Sequence, residues 1–306
     1  MATNYPNIGQ TSTDFASMYI NIKRDFQQAL AVRKHESLFP LVSSVIKSTG
    51  KSNQYDMSFI INRMNPWLGS RTREKIALDT ISLVNEKFET SLDVSRDDID
   101  DDALGLLEMQ LSGLPIIAQN FYDEKVFDVY NDHITDTETT YAAGFDGFPI
   151  FAIDHAWSYG YTTAQDNIRG VSVANAGKLD QTYGYTNIKA AIVSLENFLL
   201  PNQTRAGSKA THLLCSSSTY FDARQILESA GLNLASSATS GSVTVAERGT
   251  VNPLHGQGIQ VVKCPELTSG YWVLADLSGP LKPVILQDRR PIEMARLAEG
   301  STEYYE

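Results

Sequence analysis

Residues Gln54 to Val84 read QYDMSFIINRMNPWLGSRTREKIALDTISLV. Apolar and polar residues alternate from Tyr55 to Ile61, and residues 76–84 form a second run of high β-propensity. Between the two runs, Pro66–Gly69 supplies a turn. The pattern predicts a long two-stranded hairpin. Because an isolated hairpin is at best marginally stable in water, we expect it to rest on another subunit.

Basic residues surround the turn of this predicted hairpin, and acidic residues are concentrated further along, in Ser95–Asp102. We expect the basic tip of one subunit to face the acidic region of its neighbour. Exposed ion pairs are individually weak, worth about 0–1 kcal/mol each. The predicted interface residues are Trp67, Arg63, Arg71, Arg73, Asp97, Asp98 and Asp101.

The charge of the chain is unevenly distributed. The whole sequence has 25 basic and 36 acidic residues, for a net charge of −11 at pH 7. Residues 97–154 hold one basic group, Lys125, against fourteen acidic ones, whereas residues 1–52 carry a net charge of +3. Proteins that read nucleic acid concentrate Lys and Arg on the face that meets phosphate. The balance argues against such a reader. It favours either contact between copies of the chain or a solvated acidic surface.

The segment upstream of the hairpin is typical of an arm. Residues 1–52 contain short amphipathic pieces such as Phe15–Leu30, and no strand pattern long enough for a sheet. An arm of this kind needs another surface on which to lie.

A long helix is predicted downstream of the hairpin. Apolar residues recur three and four positions apart from Leu104 to Phe121, which predicts a helix over about residues 101–131. Asp100 or Asp101 would cap it, and Pro115 removes an amide donor in its middle. We therefore predict a kink at Pro115.

From Gly144 onward the predicted elements are short. Helices are predicted over residues 188–199 and 219–230, the second with Ser218 as its cap. Strands are predicted at Pro149–Ile153, Thr211–Cys215, Val243–Ala246, Gly258–Val262, Tyr271–Leu274 and Pro283–Leu286. Short helices and strands in mixed order indicate an α+β fold, and 306 residues allow about two domains.

No motif for catalysis or phosphate binding is complete. Ser48–Ser52 ends like a phosphate-binding loop, but Val45 stands where the first Gly is required. Asp154 and His155 are adjacent, yet no activated serine accompanies them, so an ordinary loop pair accounts for them. We predict no enzymatic activity and no cofactor.

No metal site is predicted either. The five histidines do not fall at metal-ligand spacing. Asp98–Asp102 begins like a calcium loop, but Ala103 and Met109 stand where Gly and Glu are needed. A helix cap explains these carboxylates more simply, with a weakly held cation at subunit contacts as the alternative.

The cysteines and the hydropathy of the chain indicate its solubility and its cellular compartment. Cys215 and Cys264 each end an apolar run, so both are expected to be reduced, buried thiols. No apolar stretch approaches the roughly 18 residues needed to cross a bilayer, and the amino terminus has no signal core. We expect a soluble protein made in a cytoplasm.

Several stretches together resemble the major head subunit of Mu-like tailed phages, over somewhat less than half of the chain. In the first half they are Trp67–Thr72, Phe88–Glu89 and Val94–Asp102. Weaker similarities are Phe145–Phe151 with Asp154 and His155, and Tyr271–Asp276 leading to Lys282–Arg290.

The resemblance implies the tailed-phage major capsid fold of the Hong Kong 97 type. The implied parts are an N-terminal arm over residues 1–52, an extended loop over 53–93, a peripheral domain with a spine helix over 94–144, an axial domain over 145–270 and a return to the peripheral domain over 271–306. Relatives of this kind order the axial and returning segments differently, and they imply more returning strand after Ala295 than this sequence supplies.

The same resemblance implies a major capsid protein. Its copies would form pentamers and hexamers and close into an icosahedral head around double-stranded DNA, without reading the DNA sequence. Implied partners are a portal, a scaffolding protein or protease and a cement protein, with no membrane, in a virion assembled in the host cytoplasm. The alternatives are an encapsulin-like compartment shell of the same fold and, from another class, an enzyme or carbohydrate-binding module.

Overall fold

The structure is a computed structural model that divides the chain into two compact units. The first comprises residues 1–40, 85–125 and 288–306, and the second comprises residues 41–84 and 126–287. The described residues are 12–33, 37–59, 66, 69, 77–91, 113–135, 141, 144–157, 163–168, 177–180, 183–233 and 248–295.

The first unit contains helix α1 (Ser12–Arg33) and the start of the short helix α2 (Phe39–Val42). The amphipathic piece predicted in the arm lies within α1, where Phe26 is buried. Asp123 caps α2 from a distant part of the sequence. Its Oδ1 accepts hydrogen bonds from the backbone N–H of Leu38 at 2.9 Å and of Phe39 at 2.6 Å. These are amides that the helix itself leaves without acceptors.

Helix α3 runs from Leu114 to Thr135, about 33 Å, and continues from the first unit into the second. The carbonyl of Gly113 accepts the N–H of Ile116 at 3.0 Å. Pro115 therefore lies in the first turn, where its missing amide has no intrahelical partner to lose. The described helix begins at Leu114 and extends past residue 131. The predicted kink concerns the chain on both sides of Pro115, and residues 101–112 lie outside the described residues, so it stays a prediction. The predicted caps Asp100 and Asp101 lie outside the described residues.

In the second unit, strand β1 (Ser43–Lys47) precedes the hairpin formed by β2 (Ser52–Phe59) and β3 (Ala77–Val84). The two predicted runs do form antiparallel strands. Strand β1 contradicts the expectation that residues 1–52 contain no strand pattern long enough for a sheet. It has only five residues and pairs with β9 (Val284–Asp288), far away in sequence, so no local pattern indicated it.

The core of the second unit is a three-stranded sheet made of β4 (His212–Cys215), β7 (Gln260–Lys263) and β8 (Trp272–Ala275). The central strand β4 pairs in parallel with β7 and antiparallel with β8. All three strands lie within one or two residues of the predicted positions. A separate antiparallel pair consists of β5 (Gly231–Asn233) and β6 (Arg248–Val251). The strand predicted at residues 243–246 lies outside the described residues.

Two helices accompany this sheet, α4 (Gly184–Glu196) and α5 (Tyr220–Glu228). Their buried residues join those of β4 in one apolar cluster. The cluster consists of Leu179, Ile188, Leu213, Cys215, Ala223, Ile226, Leu227 and Leu254. Gly184 lies at a close approach between elements, because a Cβ added there would be 2.3 Å from Ile226 Cδ1 and 3.0 Å from the backbone of Leu179.

Two local predictions in this unit are wrong. The cap of α5 is Thr219, without a side-chain capping bond, and Ser218 Oγ instead accepts the N–H of Gly270 at 3.0 Å. Residues 149–153 form bends and irregular backbone and no strand. Side chains take the place of a partner strand there, because Ile150 N–H donates to His133 Nδ1 and Ala152 N–H donates to Asn167 Oδ1, each at 2.9 Å.

Candidate assembly surface

The hairpin contains the longest described strands of the second unit, with eight residues each. Its strands pair without interruption from Ser52 opposite Val84 to Phe59 opposite Ala77. Eight residues of strand span about 27 Å. The half-buried residues Tyr55 and Ile81 face each other, and next to them the exposed Asp56 accepts a 2.6 Å hydrogen bond from Thr80 Oγ1. Over residues 52–56 and 79–84, the hairpin therefore has one partly covered face and one exposed face.

Gln287 of β9 joins the covered face to the rest of the second unit. The Tyr55 hydroxyl donates to Gln287 Oε1 at 2.6 Å, and Gln287 Nε2 donates to the carbonyl of Leu83 at 3.4 Å. Both bonds lie in the half of the hairpin away from the Phe59 end. Val84 remains 62% exposed. Within the described residues, the hairpin is thus attached to its own chain near its base.

The predicted tip falls almost entirely on residues that are not described. Pro66 and Gly69 are both exposed, and the φ of Gly69 is +98°, a conformation that favours glycine and suits the predicted turn. The predicted interface residues all lie outside the described residues: Trp67, Arg63, Arg71, Arg73, Asp97, Asp98 and Asp101. Their pairing stays a prediction.

An exposed aromatic surface in the first unit was not predicted as a contact site. Phe88, which is 56% exposed, stacks edge-on against Phe121 with ring centroids 5.0 Å apart. Lys125 Nζ lies 5.5 Å from the Phe88 centroid, and Ile117 is 59% exposed. We call Phe88, Ile117, Phe121 and Lys125 the Phe88 surface. The spacing of four between its helical members is the signal that was available in the sequence.

A second exposed aromatic group lies at the start of α5. Phe221 is 70% exposed and its ring centroid is 5.3 Å from that of Tyr220. Arg224 lies over Tyr220 at 5.8 Å and forms a salt bridge of 2.8 Å with Glu228. Exposed aromatic and arginine side chains held in place by neighbours are typical of protein interfaces.

His155 does not pair with its neighbour Asp154. Its Nδ1 lies 2.5 Å from Asp146 Oδ2, and its Nε2 lies 3.1 Å from the carbonyl of Ile150. Burial acts to lower the pKa of His155, but the hydrogen bond and charge of Asp146 outweigh it and raise that pKa above its ordinary value. With both ring nitrogens occupied, the pair acts as a structural contact.

The remaining predictions about chemistry concern thiols, metals and membranes. Cys215 and Cys264 are buried thiols that form no disulfide, as predicted, and burial raises the pKa of the Cys215 thiol to about 12. In the described part of the chain, no three His, Cys, Asp or Glu side chains come together to hold a metal ion. The helices described here include none that is long and apolar enough to cross a membrane.

The sequence of this chain matches a known protein family. The model of the family described as "Mu-like prophage major head subunit gpT" matches residues 15–185, more than half of the sequence. The chain belongs to this family. The predicted resemblance is confirmed, and the gpT family is one of structural head subunits rather than of enzymes.

Two curated relatives of this gpT family chain are a major head subunit and a major capsid protein. This chain is 29% identical over 139 residues to the Mu-like prophage FluMu major head subunit of Haemophilus influenzae, covering 45% of this chain and 42% of the relative. It is 26% identical over 125 residues to the major capsid protein of Escherichia phage Mu, covering 41% of this chain and 40% of the relative. The chain therefore spans less than half the length of the curated relatives it matches.

Solved structures reveal the fold of this gpT family chain. A chain of the bacteriophage JBD30 capsid matches with a TM-score of 0.56 at 17% identity, covering 76% of this chain and 91% of that one. A JBD30 capsid decorated with minor capsid protein trimers matches with a TM-score of 0.53 at 17% identity and the same coverage. The predicted α+β fold of tailed-phage capsid proteins is confirmed.

Proposed function

We propose that this chain is the major capsid protein of a tailed phage. Its copies assemble into pentamers and hexamers, which close into an icosahedral head around double-stranded DNA. The observation that carries the proposal is the gpT family match over residues 15–185. The shared fold with a JBD30 capsid chain supports it, because a shell is built from many copies of such a subunit.

The geometry of the hairpin supports assembly on physical grounds. The described contacts of the hairpin with its own chain involve Gln287 near the base, and its opposite face is exposed. A two-stranded hairpin of this length gains little stability alone. A neighbouring subunit that covers the exposed face supplies the missing burial and links the two subunits laterally.

The proposed contact joins opposite charges. The tip of the hairpin, with Trp67, Arg63, Arg71 and Arg73, meets the acidic segment of the adjacent subunit at Asp97, Asp98 and Asp101. Each exposed pair contributes about 0–1 kcal/mol. The contact recurs at every subunit of a shell, so small contributions per pair accumulate across the assembly. The Phe88 surface offers an apolar contact in addition to the charges.

The proposed organisation follows the resemblance, with one refinement. The arm covers residues 1–52, the extended loop 53–93, the peripheral domain 94–144, the axial domain 145–270 and the return segment 271–306. Strand β8 pairs with β4, so residues 272–275 belong to the same sheet as the proposed axial domain. We place the end of the axial domain after Ala275.

The proposed partners follow from a head that holds DNA. An acidic shell protein does not grip the packaged genome, whereas the arm, with its net charge of +3, is suited to touching phosphate without reading bases. A related JBD30 capsid is described as decorated with minor capsid protein trimers, which supports a cement partner here. A portal and a scaffolding protein or protease complete the set, in a virion assembled in the host cytoplasm.

The decisive experiment is electron microscopy of the expressed full chain, with size-exclusion chromatography and absorbance of the particle contents. We expect closed shells or capsomers. Particles loaded only with protein would favour the encapsulin-like alternative. A chain that remains monomeric at all concentrations would overturn the proposal and favour an enzyme or carbohydrate-binding module.

The charge contact is tested in the same assay by the double variant Arg71→Glu with Arg73→Glu. We expect a loss of normal shells, with an unchanged far-ultraviolet circular dichroism spectrum showing that the subunit still folds. The matched control is Lys178→Glu with Lys209→Glu, which makes the same change of net charge at two exposed positions of the second unit. Normal shells from the arginine variant would reject the proposed pairing while leaving the capsid function intact.

A further inference from the structure

The peptide group of Ile150 lies between two histidines in the second unit. Its N–H donates to His133 Nδ1 at 2.9 Å, and its carbonyl lies 3.1 Å from His155 Nε2. His133 belongs to α3, whereas His155 belongs to the described segment 144–157 that follows it. We call this arrangement the Ile150 bridge. It ties the segment to the end of the helix through two groups that titrate.

The hydrogen bond at His133 requires a neutral ring. Since Nδ1 accepts the N–H of Ile150, the ring proton of neutral His133 resides on Nε2. His133 is 1% exposed, and burial has the larger effect on the pKa of its ring and lowers it, although the backbone of Tyr141 interacts with the ring and acts to raise that pKa. A second proton on Nδ1 would point at the amide hydrogen of Ile150. Protonation of His133 therefore breaks this side of the bridge.

The contacts at His155 require a charged ring. Asp146 Oδ2 and the carbonyl of Ile150 are both acceptors, and they face the two ring nitrogens. Only a doubly protonated imidazole donates to both. After loss of one proton, a nitrogen lone pair of His155 faces one of these oxygens. Deprotonation of His155 therefore weakens the other side of the bridge.

The charged groups around the two rings favour the charged form of His155, whereas the neutral form of His133 is maintained by burial against the charge of Asp132. Asp146 and Asp154 from the segment itself favour the charged form of His155, and Asp132 on α3 is the carboxylate that acts on His133. Tyr141 packs on the same helix, where its N–H donates to Asp132 Oδ2 at 3.2 Å. On the third packed segment, residues 163–168, the Asp166 carboxylate accepts the N–H of Ile168 at 2.8 Å.

We propose that the Ile150 bridge is a two-sided proton latch, which holds residues 144–157 on α3 only while His133 is neutral and His155 is charged. The latch closes within a window of pH and loosens on either side of it. Asn167 adds a bond that does not titrate, from its Nδ2 to the Ile150 carbonyl at 2.6 Å. Opening is therefore a local loosening of the segment and leaves the fold intact.

The stability that each histidine contributes depends on pH, with an acidic limb from His133 and an alkaline limb from His155. The pKa of each ring sets the direction of its limb. Burial lowers the pKa of His133 below 6.5, against the opposing charge of Asp132. Its contribution to stability is therefore present above 6.5 and is lost as the pH falls through the folded value. The pKa of His155 is raised above 6.5 by Asp146 despite burial. Its contribution is present below 6.5 and is lost as the pH rises through the folded value.

Hydrogen exchange of the full chain, followed by mass spectrometry from pH 5 to pH 9, tests the latch. Protection factors corrected for intrinsic exchange are measured for peptides that cover residues 144–157. We expect maximal protection inside the window and a fall of about fivefold on each side, as for the loss of one hydrogen bond. This readout is independent of shell formation, so it stands or falls separately from the proposed function.

Three variants assign the two limbs. His133→Gln keeps an acceptor for Ile150 but cannot titrate, so the acidic limb should disappear; His155→Gln should remove the alkaline limb. The control His255→Gln, at an exposed position, should keep both. Flat protection in the unmodified chain, or a limb that persists in its own variant, overturns the latch.

A second measurement covers variants that fail to fold. Nuclear magnetic resonance titration of the two histidine rings in the unmodified chain should give midpoints on opposite sides of 6.5, the ordinary value. Midpoints on the same side overturn the latch.

Discussion

The hairpin and the three-stranded sheet are both β-structure in the second unit, but they differ in where their strands come from and in how much of their surface is buried. The sheet joins strands from three separate parts of the chain and packs against α4 and α5, so that Leu213 and Cys215 are fully buried. The strands of the hairpin are close in sequence and pair with each other, and alternate residues on one face remain exposed. The sheet obtains its stability from burial within one chain.

This difference separates folding from assembly. A change in the core of the sheet is expected to lower the stability of the isolated chain, and hence also the yield of shells. A change in the hairpin is expected to leave the isolated chain largely folded while impairing contact with a neighbour. Three substitutions test this contrast, with unfolding of the isolated chain and shell formation measured side by side.

The largest effect is expected for Leu213→Ala in the core of the sheet. Leu213 is 0% exposed, so the substitution removes buried methyl groups and leaves a cavity. The expected loss in the free energy of unfolding is about 2–5 kcal/mol, measured by urea denaturation. Leu281→Ala is the control, since Leu281 is 52% exposed and a change within about 0.5 kcal/mol is expected. Equal losses would contradict the assignment of the core.

A smaller loss is expected for Gly184→Ala, where α4 begins. The new Cβ would be 2.3 Å from Ile226 Cδ1, so side chains must shift, at a cost of about 1–3 kcal/mol. The control is Gly279→Ala, where the nearest atom to an added Cβ is 3.8 Å away. Adding Ile226→Val, which removes Cδ1, should recover part of the loss. No recovery would mean that the contact with Leu179 dominates.

The smallest effect on folding is expected for Tyr55→Phe in the hairpin. It removes the 2.6 Å bond to Gln287, which in a half-buried position is worth about 0.5–1.5 kcal/mol. Tyr183→Phe, at the surface ahead of α4, is the control. If the hairpin needs a neighbour, shell formation should suffer more than unfolding stability does. A Tyr55 variant as unstable as Leu213→Ala would break the contrast between the two regions.

Sequence patterns predicted the elements whose partners are local or whose burial is periodic. The hairpin was readable because its strands alternate in polarity and are joined by a turn, and the core strands near residues 212 and 260 were apolar runs. Strand β1 was missed because its partner β9 is about 240 residues away, so only the tertiary fold makes it a strand. Residues 149–153 have strand propensity, but the side chains of His133 and Asn167 take up their backbone groups.

The candidate surface was predicted less completely than the fold. Charge and composition indicated the basic tip and the acidic segment, which lie outside the described residues. The Phe88 surface was missed, because Phe88 meets α3 only through the fold. The pairing of His155 with Asp146 was also missed: the nearest carboxylate in sequence is Asp154, whereas the backbone turn at Gly147 brings Asp146 to the ring.

The positions of the strands in the sequence determine when the hairpin and the core sheet can each form during translation. Strand β4 cannot acquire both neighbours until Trp272–Ala275 has left the ribosome, whereas β2 and β3 can pair once Val84 has emerged. At bacterial elongation rates the intervening stretch of about 190 residues takes on the order of 10–40 s to translate. For that interval the nascent chain carries a paired hairpin and an incomplete core sheet. In the proposed assembly, hairpins on neighbouring nascent chains of one polysome can therefore meet before either chain has folded.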